Sequence, residues 1–280
     1  MSSAPAALTP AVGRSVTATP ALPVVLRAAA RSELTKLRTV RSTIWALVFT
    51  VVSIIGLGAL LTALEVGRWS HRSATEITGF DPLLYSFAGI NLAQLSIGVL
   101  GVLMMTSEYG TGSITLTFGA TPQRRLLLAA KVVTFSAVVA VVSAISCLTS
   151  FLICQALLAP KHAGVSLTDP GVLRAVLGGA AHLVLIGAIA VGVGALVRHT
   201  AAAVAVLFAL LLIVPGLVTL LPSPWNDEVI RYLPSSAGVA MSAVVRFPNL
   251  LSPGGGLLVL CGYTALTLAA AAYVLFRGDA

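Results

Sequence analysis

Apolar windows of about twenty residues recur along the chain, and polar positions gather in the short stretches between them. At 1.5 Å of rise per residue, each window can cross roughly 30 Å of hydrocarbon, where a backbone has to satisfy its own N–H and C=O groups. Helix is therefore the predicted state of every window. Six spans follow, at about residues 43–64, 84–105, 126–158, 172–197, 200–221 and 256–276. The expected fold class is all-α: a polytopic membrane protein with a single transmembrane domain over residues 23–280.

The ends and connections read differently. Residues 1–22 are rich in Ala, Pro, Ser and Thr without a periodic apolar face, the composition of a disordered tail. From Pro23 onward Leu26, Ala30, Leu37, Val40 and Ile44 fall on one side of a helix, and Arg27, Arg31, Arg38 and Arg41 form a neighbouring stripe. This pattern predicts an N-terminal amphipathic helix in the interface, with its basic side toward anionic headgroups of the lipid bilayer. The connection after the fourth span is only "RHT", so the fourth and fifth spans form an antiparallel hairpin. The outer connection after the fifth span is the longest. Within it "SSAGVAMSAVVRF" predicts a short helix with Ala240, Met241, Val244 and Val245 on one side.

Charge adds orientation. Hydrophobic residues make up 58% of the chain and charged ones 9%, and the net charge is +8. A nucleic-acid partner is not expected, because the basic residues lie between spans and do not form a dense face on a soluble module. Placing both termini in the cytoplasm puts Arg14, Arg27, Arg31, Lys36, Arg38, Arg41, Arg124, Arg125, Lys131, Arg198 and Arg277 inside. Arg68, Arg72, Lys161, Arg174, Arg231 and Arg246 are then outside, and 11 against 6 favours this orientation. Arginine outnumbers lysine 14 to 3 amid abundant Ala, Val, Leu and Gly, which points to a high-GC bacterial genome and hence to a bacterial plasma membrane. Cys147, Cys154 and Cys261 all fall inside apolar windows with no CxxC pair, so they read as small core residues.

The substantial cytoplasmic segment between spans is then "SEYGTGSITLTFGATPQRRLLLAAK", residues 107–131. Glycines at 110, 112 and 119 and the Thr121–Pro122 break bracket a short helix from about Thr111 to Phe118. On the residues alone, a docking element for a cytosolic partner competes with an ordinary turn anchored at the interface by Arg124 and Arg125. The segment resembles the connection between the second and third helices in permease subunits of ABC transporters of the type 2 exporter superfamily. An E-Y-x-x-G-T/S start, a T/S-P-x-x-R turn and a final A-K recur there. Here they are matched by Glu108, Tyr109, Gly112, Ser113, Thr121, Pro122, Arg125 and Lys131. The chain departs from the pattern at Gly110, where a bulkier or acidic residue is common. The basic entry helix, six spans and a long last outer loop with "YLPSSAG" extend the resemblance more loosely to the whole chain. It implies that residues 108–122 are a short cytoplasmic coupling helix that inserts into a cleft of a separate cytosolic ATPase subunit. It also implies that a second permease copy, or a related permease, completes the pathway.

Polar and small residues inside the spans give further candidates. On the second span Asn91, Gln94, Gly98 and Gly101 recur at positions 0, 3, 7 and 10, a single helical stripe. Such a stripe lines a substrate path or packs closely against another helix, within the chain or in a dimer. In the resembling family the second and fifth helices border the central cavity between two permeases. On the fourth span Ala188 and Gly192, like Ala190 and Gly194, have the four-residue spacing of close helix contact. His182 reads either as a packed, hydrogen-bonded residue or as a proton relay.

Several chemistries lack their residues. A P-loop needs GxxxxGK followed by Ser or Thr, and Lys36, Lys131 and Lys161 are followed by Leu, Val and His. The chain is therefore expected to be no enzyme and to carry no cofactor, with ATP and Mg bound by the partner subunit. None of the four histidines belongs to an HExxH motif, and no metal site is expected. All nine acidic residues lie in tails, loops or span edges, which argues against a secondary transporter driven by protons or sodium. That transporter class and a non-transporting membrane anchor of an ATPase complex are the alternatives to an exporter permease. Orientation is tested with single cysteines in a cysteine-free background: one at Ser70 should label in intact cells and one at Gln123 should not. Labelling of position 123 from outside would reverse the topology.

Overall fold

The computed structural model describes residues 22–73, 80–110, 124–223, 225–245 and 249–277. It is all-helical, with no strand among these residues. The helices are α1 (Leu22–Thr39), α2 (Arg41–Gly67), α3 (Pro82–Ser86), α4 (Ile90–Gly110) and α5 (Arg124–Leu158). They continue with α6 (Val172–Val197), α7 (Thr200–Val218), α8 (Trp225–Ile230), α9 (Pro234–Ser242) and α10 (Pro253–Arg277). Six of them, α2, α4, α5, α6, α7 and α10, are long and apolar enough to cross a membrane.

The fourth span has the expected bounds, and it is the axis of the bundle. Every residue from Ile186 to Ala195 is buried. Helix α6 packs against α4, α5, α7, α9 and α10. Its most apolar window is 72% buried, against 11% for α10, so α10 presents most of its surface outward. Small residues permit the close approach around α6. A Cβ added to Gly101 on α4 would lie 2.8 Å from the Gly187 carbonyl and 2.9 Å from the Ala190 methyl. One on Gly194 would lie 2.9 Å from the Val102 carbonyl, and one on Gly192 would lie 3.0 Å from Thr267 on α10. The four-residue spacing of small residues on the fourth span thus serves contacts on two sides of one helix.

Two spans carry breaks that the apolar pattern did not reveal. The second expected span, 84–105, is two pieces: α3 is capped by Asp81, whose carboxylate accepts the Leu83 N–H at 2.9 Å, and a turn at 87–89 leads into α4. Opposite this turn α2 widens into a π-helical stretch at Ser53–Leu57. Both irregularities lie against α5, where the Ser150 hydroxyl lies 2.7 Å from the Ser86 carbonyl and 3.1 Å from the Ile54 carbonyl and donates between them. Gly89 and Gly58 fit only because they lack side chains, a Cβ on Gly89 colliding with the Ser53 carbonyl and one on Gly58 lying 2.6 Å from Ser150 Oγ. In α7 a second π-helical stretch, Ala209–Ile213, precedes Pro215. Proline donates no N–H to the carbonyl four residues earlier, and here Ser235 of α9 donates to that Leu211 carbonyl at 3.0 Å. Each break is repaired by a serine from another helix, as burial away from water requires.

The end connections are also ordered. Helix α9 realises the short helix expected in the long connection, with Ala240 and Met241 buried, while Val244 and Val245 lie beyond its end. Arg174 of α6 donates to the Met241 and Ala243 carbonyls at 3.3 and 2.8 Å, placing a cation at the C-terminus of α9. At the same end Arg72 pairs with Glu65, donates to the Tyr85 hydroxyl at 3.2 Å and lies over the rings of Trp69 and Phe80. Burial works against its charge, but Tyr85 and Glu65 outweigh that effect and raise its pKa above the ordinary arginine value.

The α6 contacts make a direct prediction. Gly101→Leu should lower thermal stability in detergent by about 1–3 kcal/mol through overpacking. Gly262→Leu should change little, because nothing lies within 4 Å of a Cβ there. Equal melting temperatures for the two variants would show that close packing of α4 on α6 is not a source of stability.

Candidate functional site: the α4–α5 end of the bundle

The residues expected to couple to a partner fall into three groups. Glu108 and Tyr109 lie in the last turn of α4, and Arg125 lies at the start of α5. Gly112, Ser113, Thr121 and Pro122, and with them the expected helix, lie outside the described residues, as do the side chains of Glu108 and Arg125. Tyr109 and Lys131 are the motif residues whose side-chain positions define the site. They flank the segment on its two sides.

On the α4 side, the Arg198 guanidinium lies over the Tyr109 ring, 5.6 Å from its centroid. Arg198 belongs to the two-residue turn between α6 and α7 and adopts a left-handed backbone conformation, φ 60°. That conformation ends α6 and is more often given to glycine. One turn deeper, Thr200 at the start of α7 donates to the Thr106 hydroxyl at 2.9 Å. The end of α4 is thus fastened to the α6–α7 hairpin by a cation–π contact and a hydroxyl pair.

On the α5 side, Lys131 is buried, and its ammonium lies 3.1 Å from the Glu33 carboxylate of α1. Glu33 is itself buried and also accepts from Lys36 at 2.9 Å. The pair fastens the amphipathic helix to the first turns of α5 in a place that hydration does not reach. Removing one partner from such a pair is costly because the other charge remains buried. Glu33 was not among the residues singled out in the sequence, although it continues the 26, 30, 37 apolar stripe at position 33 and so marks a carboxylate on the packed face. The stripe itself ends sooner than expected: α1 stops at Thr39, Val40 is extended, and Val40 and Ile44 are exposed on the far side of the break.

The α4 stripe divides between packing and an open cleft. Gly98 faces Leu207 of α7, and Gly101 faces α6, so both are taken up by contacts within the chain. Gln94 is buried, with its Oε1 3.2 Å from His182 Nε2. With Gln94 accepting, Nε2 carries the proton, and Nδ1, which packs against Gly238, has no hydrogen-bond partner among the described residues. Asn91 is exposed and lines a cleft of about 220 Å³ with Leu61, Tyr85, His182, Ser235 and Val239. The cleft has mostly apolar walls and a few polar groups, a lining suited to an amphiphilic guest. No carboxylate hydrogen-bonds His182 among the described residues, so the histidine sits in a packed amide pair. Cys147 and Cys154 are buried, whereas Cys261 is exposed on α10. Among the described residues no group of three metal-ligating side chains converges.

No protein-family model and no curated protein matches this chain.

The buried clasp can be tested by a double-mutant cycle. Glu33→Gln and Lys131→Met should each destabilise the protein, and the double variant should lose less than their sum, with a coupling of about 0.5–3 kcal/mol. Unfolding in mixed micelles measures this. Strict additivity would mean that the pair contributes no coupling.

Proposed function

We propose that this multi-pass membrane protein is the permease subunit of an ATP-driven ABC exporter of the type 2 superfamily. It acts with a separate cytosolic ATPase and with a second permease copy or a related chain. The proposal places it in a bacterial plasma membrane with both termini cytoplasmic. The observation that carries this reading is the motif from Glu108 to Lys131, which connects two spans and is flanked by Tyr109 and Lys131. Support also comes from the six spanning helices, the basic entry helix and the ordered piece of the long last connection, which agree with the same architecture.

In this reading the partner subunit binds ATP and Mg and supplies the free energy of hydrolysis. This chain's part is mechanical. Residues 108–122 sit in the partner's cleft and move with it. Tyr109 passes that displacement to the α6–α7 turn through Arg198, and Lys131 passes it to α1 through Glu33. Helices α4 and α5 are therefore driven together with neighbours on both sides, and a small movement becomes a rearrangement of packed helices. The cleft beside Asn91 borders the substrate path, while Gln94, Gly98 and Gly101 above it hold α4 to α6 and α7. Glu108 belongs to the last turn of α4 and not to the start of a separate coupling helix, so its carboxylate gains nothing from the α4 dipole and its proposed role is contact with the partner.

The test needs the partner, to be sought as an ATP-binding cassette reading frame beside the gene. The purified chain alone should hydrolyse no ATP, and the co-expressed pair should. Glu108→Ala and Gly112→Trp should leave insertion and expression intact while weakening co-purification with the ATPase or uncoupling its hydrolysis from transport. Changing Arg124 and Arg125 to Ala should act on topology and yield instead. Full ATPase association and full transport in both Glu108→Ala and Gly112→Trp would make the segment an ordinary loop.

A further inference from the structure

Helix α1 is held off the outward face of α5 along part of its length, leaving a groove of about 590 Å³ between α1, α2 and α5. Its walls are apolar: Leu34 and Leu37 from α1, Leu47 from α2, and Val138 and Val141 from α5. On α5 the lining runs from Val133 to Val142, roughly 14 Å at 1.5 Å per residue. That is close to the hydrocarbon depth of one leaflet, half of about 30 Å. Val133 and Val141 are 66% and 60% exposed, so the groove opens sideways where lipid would lie.

The rim of the groove is charged. Arg31 and Arg38, seven residues and about two turns apart on α1, both line it. Neither guanidinium has an ion-pair partner among the described residues. The nearest acid in sequence, Glu33, is already committed to Lys131 and Lys36 on the buried side of the same helix. At the floor, Thr134 is 8% exposed, and its hydroxyl has no hydrogen-bond partner among the described residues. The groove thus combines two cations without an ion-pair partner on its rim, an apolar trough and a buried hydroxyl in need of a partner.

We infer that this groove is a binding site for one anionic phospholipid, its phosphate held by Arg31 and Arg38 and an acyl chain lying along α5 from Val133 to Val142. Charge complementarity selects this occupant. A second copy of the chain would bring the same arginines and be repelled, and a water-soluble protein would not reach Val138 or Val141 on a spanning helix. A zwitterionic lipid fits the trough but leaves the arginines without a net counter-charge. The inference goes beyond an amphipathic helix resting on a charged membrane, because it defines a discrete, saturable seat. It does not depend on the ATPase partner.

The test is native mass spectrometry of the full chain in detergent with palmitoyl-oleoyl phosphatidylglycerol or the phosphatidylcholine of the same chains. One phosphatidylglycerol should be retained per chain in preference to phosphatidylcholine, and free glycerol 3-phosphate should not displace it. Arg31→Gln with Arg38→Gln should weaken retention roughly thirtyfold, which corresponds to about 1 kcal/mol for each basic residue. Arg31→Lys with Arg38→Lys should restore much of it. Val138→Trp, which fills the trough without changing charge, should also reduce retention. Ala137→Phe provides the same test on an exposed lining residue should the tryptophan impair folding. Equal binding of the two lipids, or retention unchanged in the double glutamine variant, would overturn the site. Phosphatidylglycerol binding that is lost with the arginines but unaffected by both trough-filling variants would likewise overturn it, because it reports surface attraction only.

Discussion

Within hydrocarbon, no backbone N–H or C=O can be left to water, and the rest of this structure follows from that constraint. It makes every span a helix, and it governs where the spans may depart from regular helix. The departures in α2, α3 and α7 occur where a hydroxyl from another element reaches the freed carbonyls: Ser150 for Ser86 and Ile54, and Ser235 for Leu211. These serines do more than fill space, because they fasten α5 to α2 and α3, and α9 to α7. The same constraint explains the glycines beside them, since a carbonyl approached by a neighbouring helix leaves no room for a side chain.

The bundle built on this rule has a buried axis, α6, and charged fastenings at both ends. At one end Arg72 and Arg174 order the connections. At the other, Glu33 with Lys131 and Tyr109 with Arg198 flank residues 111–123. A displacement applied to that segment has two routes into the bundle, toward α1 and toward the α6–α7 turn. This is the physical content of the proposed coupling role. The cationic groove lies between α1 and α5, as the clasp does, so the same amphipathic helix joins the protein interior to the lipid.

Much of the architecture was legible in the sequence because hydrophobic length reports membrane crossing directly. The expected bounds of the fourth span, 172–197, agree with helix α6, which the short "RHT" connection separates from α7. The α3–α4 break was not legible, because Phe87, Ala88 and Gly89 are as apolar as a continuous span and the cause of the break lies in α2 and α5. Ser150 gave no signal either: serine in a span is common, and only three-dimensional contact shows which carbonyls it serves. Glu33 was legible in principle as an acid on an apolar stripe, but its partner Lys131 lies about a hundred residues away. The split of the Asn91–Gly101 stripe into an open end and a packed end depends on how far α6 and α7 extend beside it, which periodicity does not encode.

The central claim is that residues 107–131 meet an ATPase and pass its movement to the helices. A photoreactive amino acid placed at Thr115 and activated in living cells tests this most directly. The account predicts one dominant protein adduct, identified by mass spectrometry as a P-loop ATP-binding subunit, whose yield changes when cellular ATP is depleted. Adducts confined to lipid, or to proteins without an ATP-binding cassette, would contradict it.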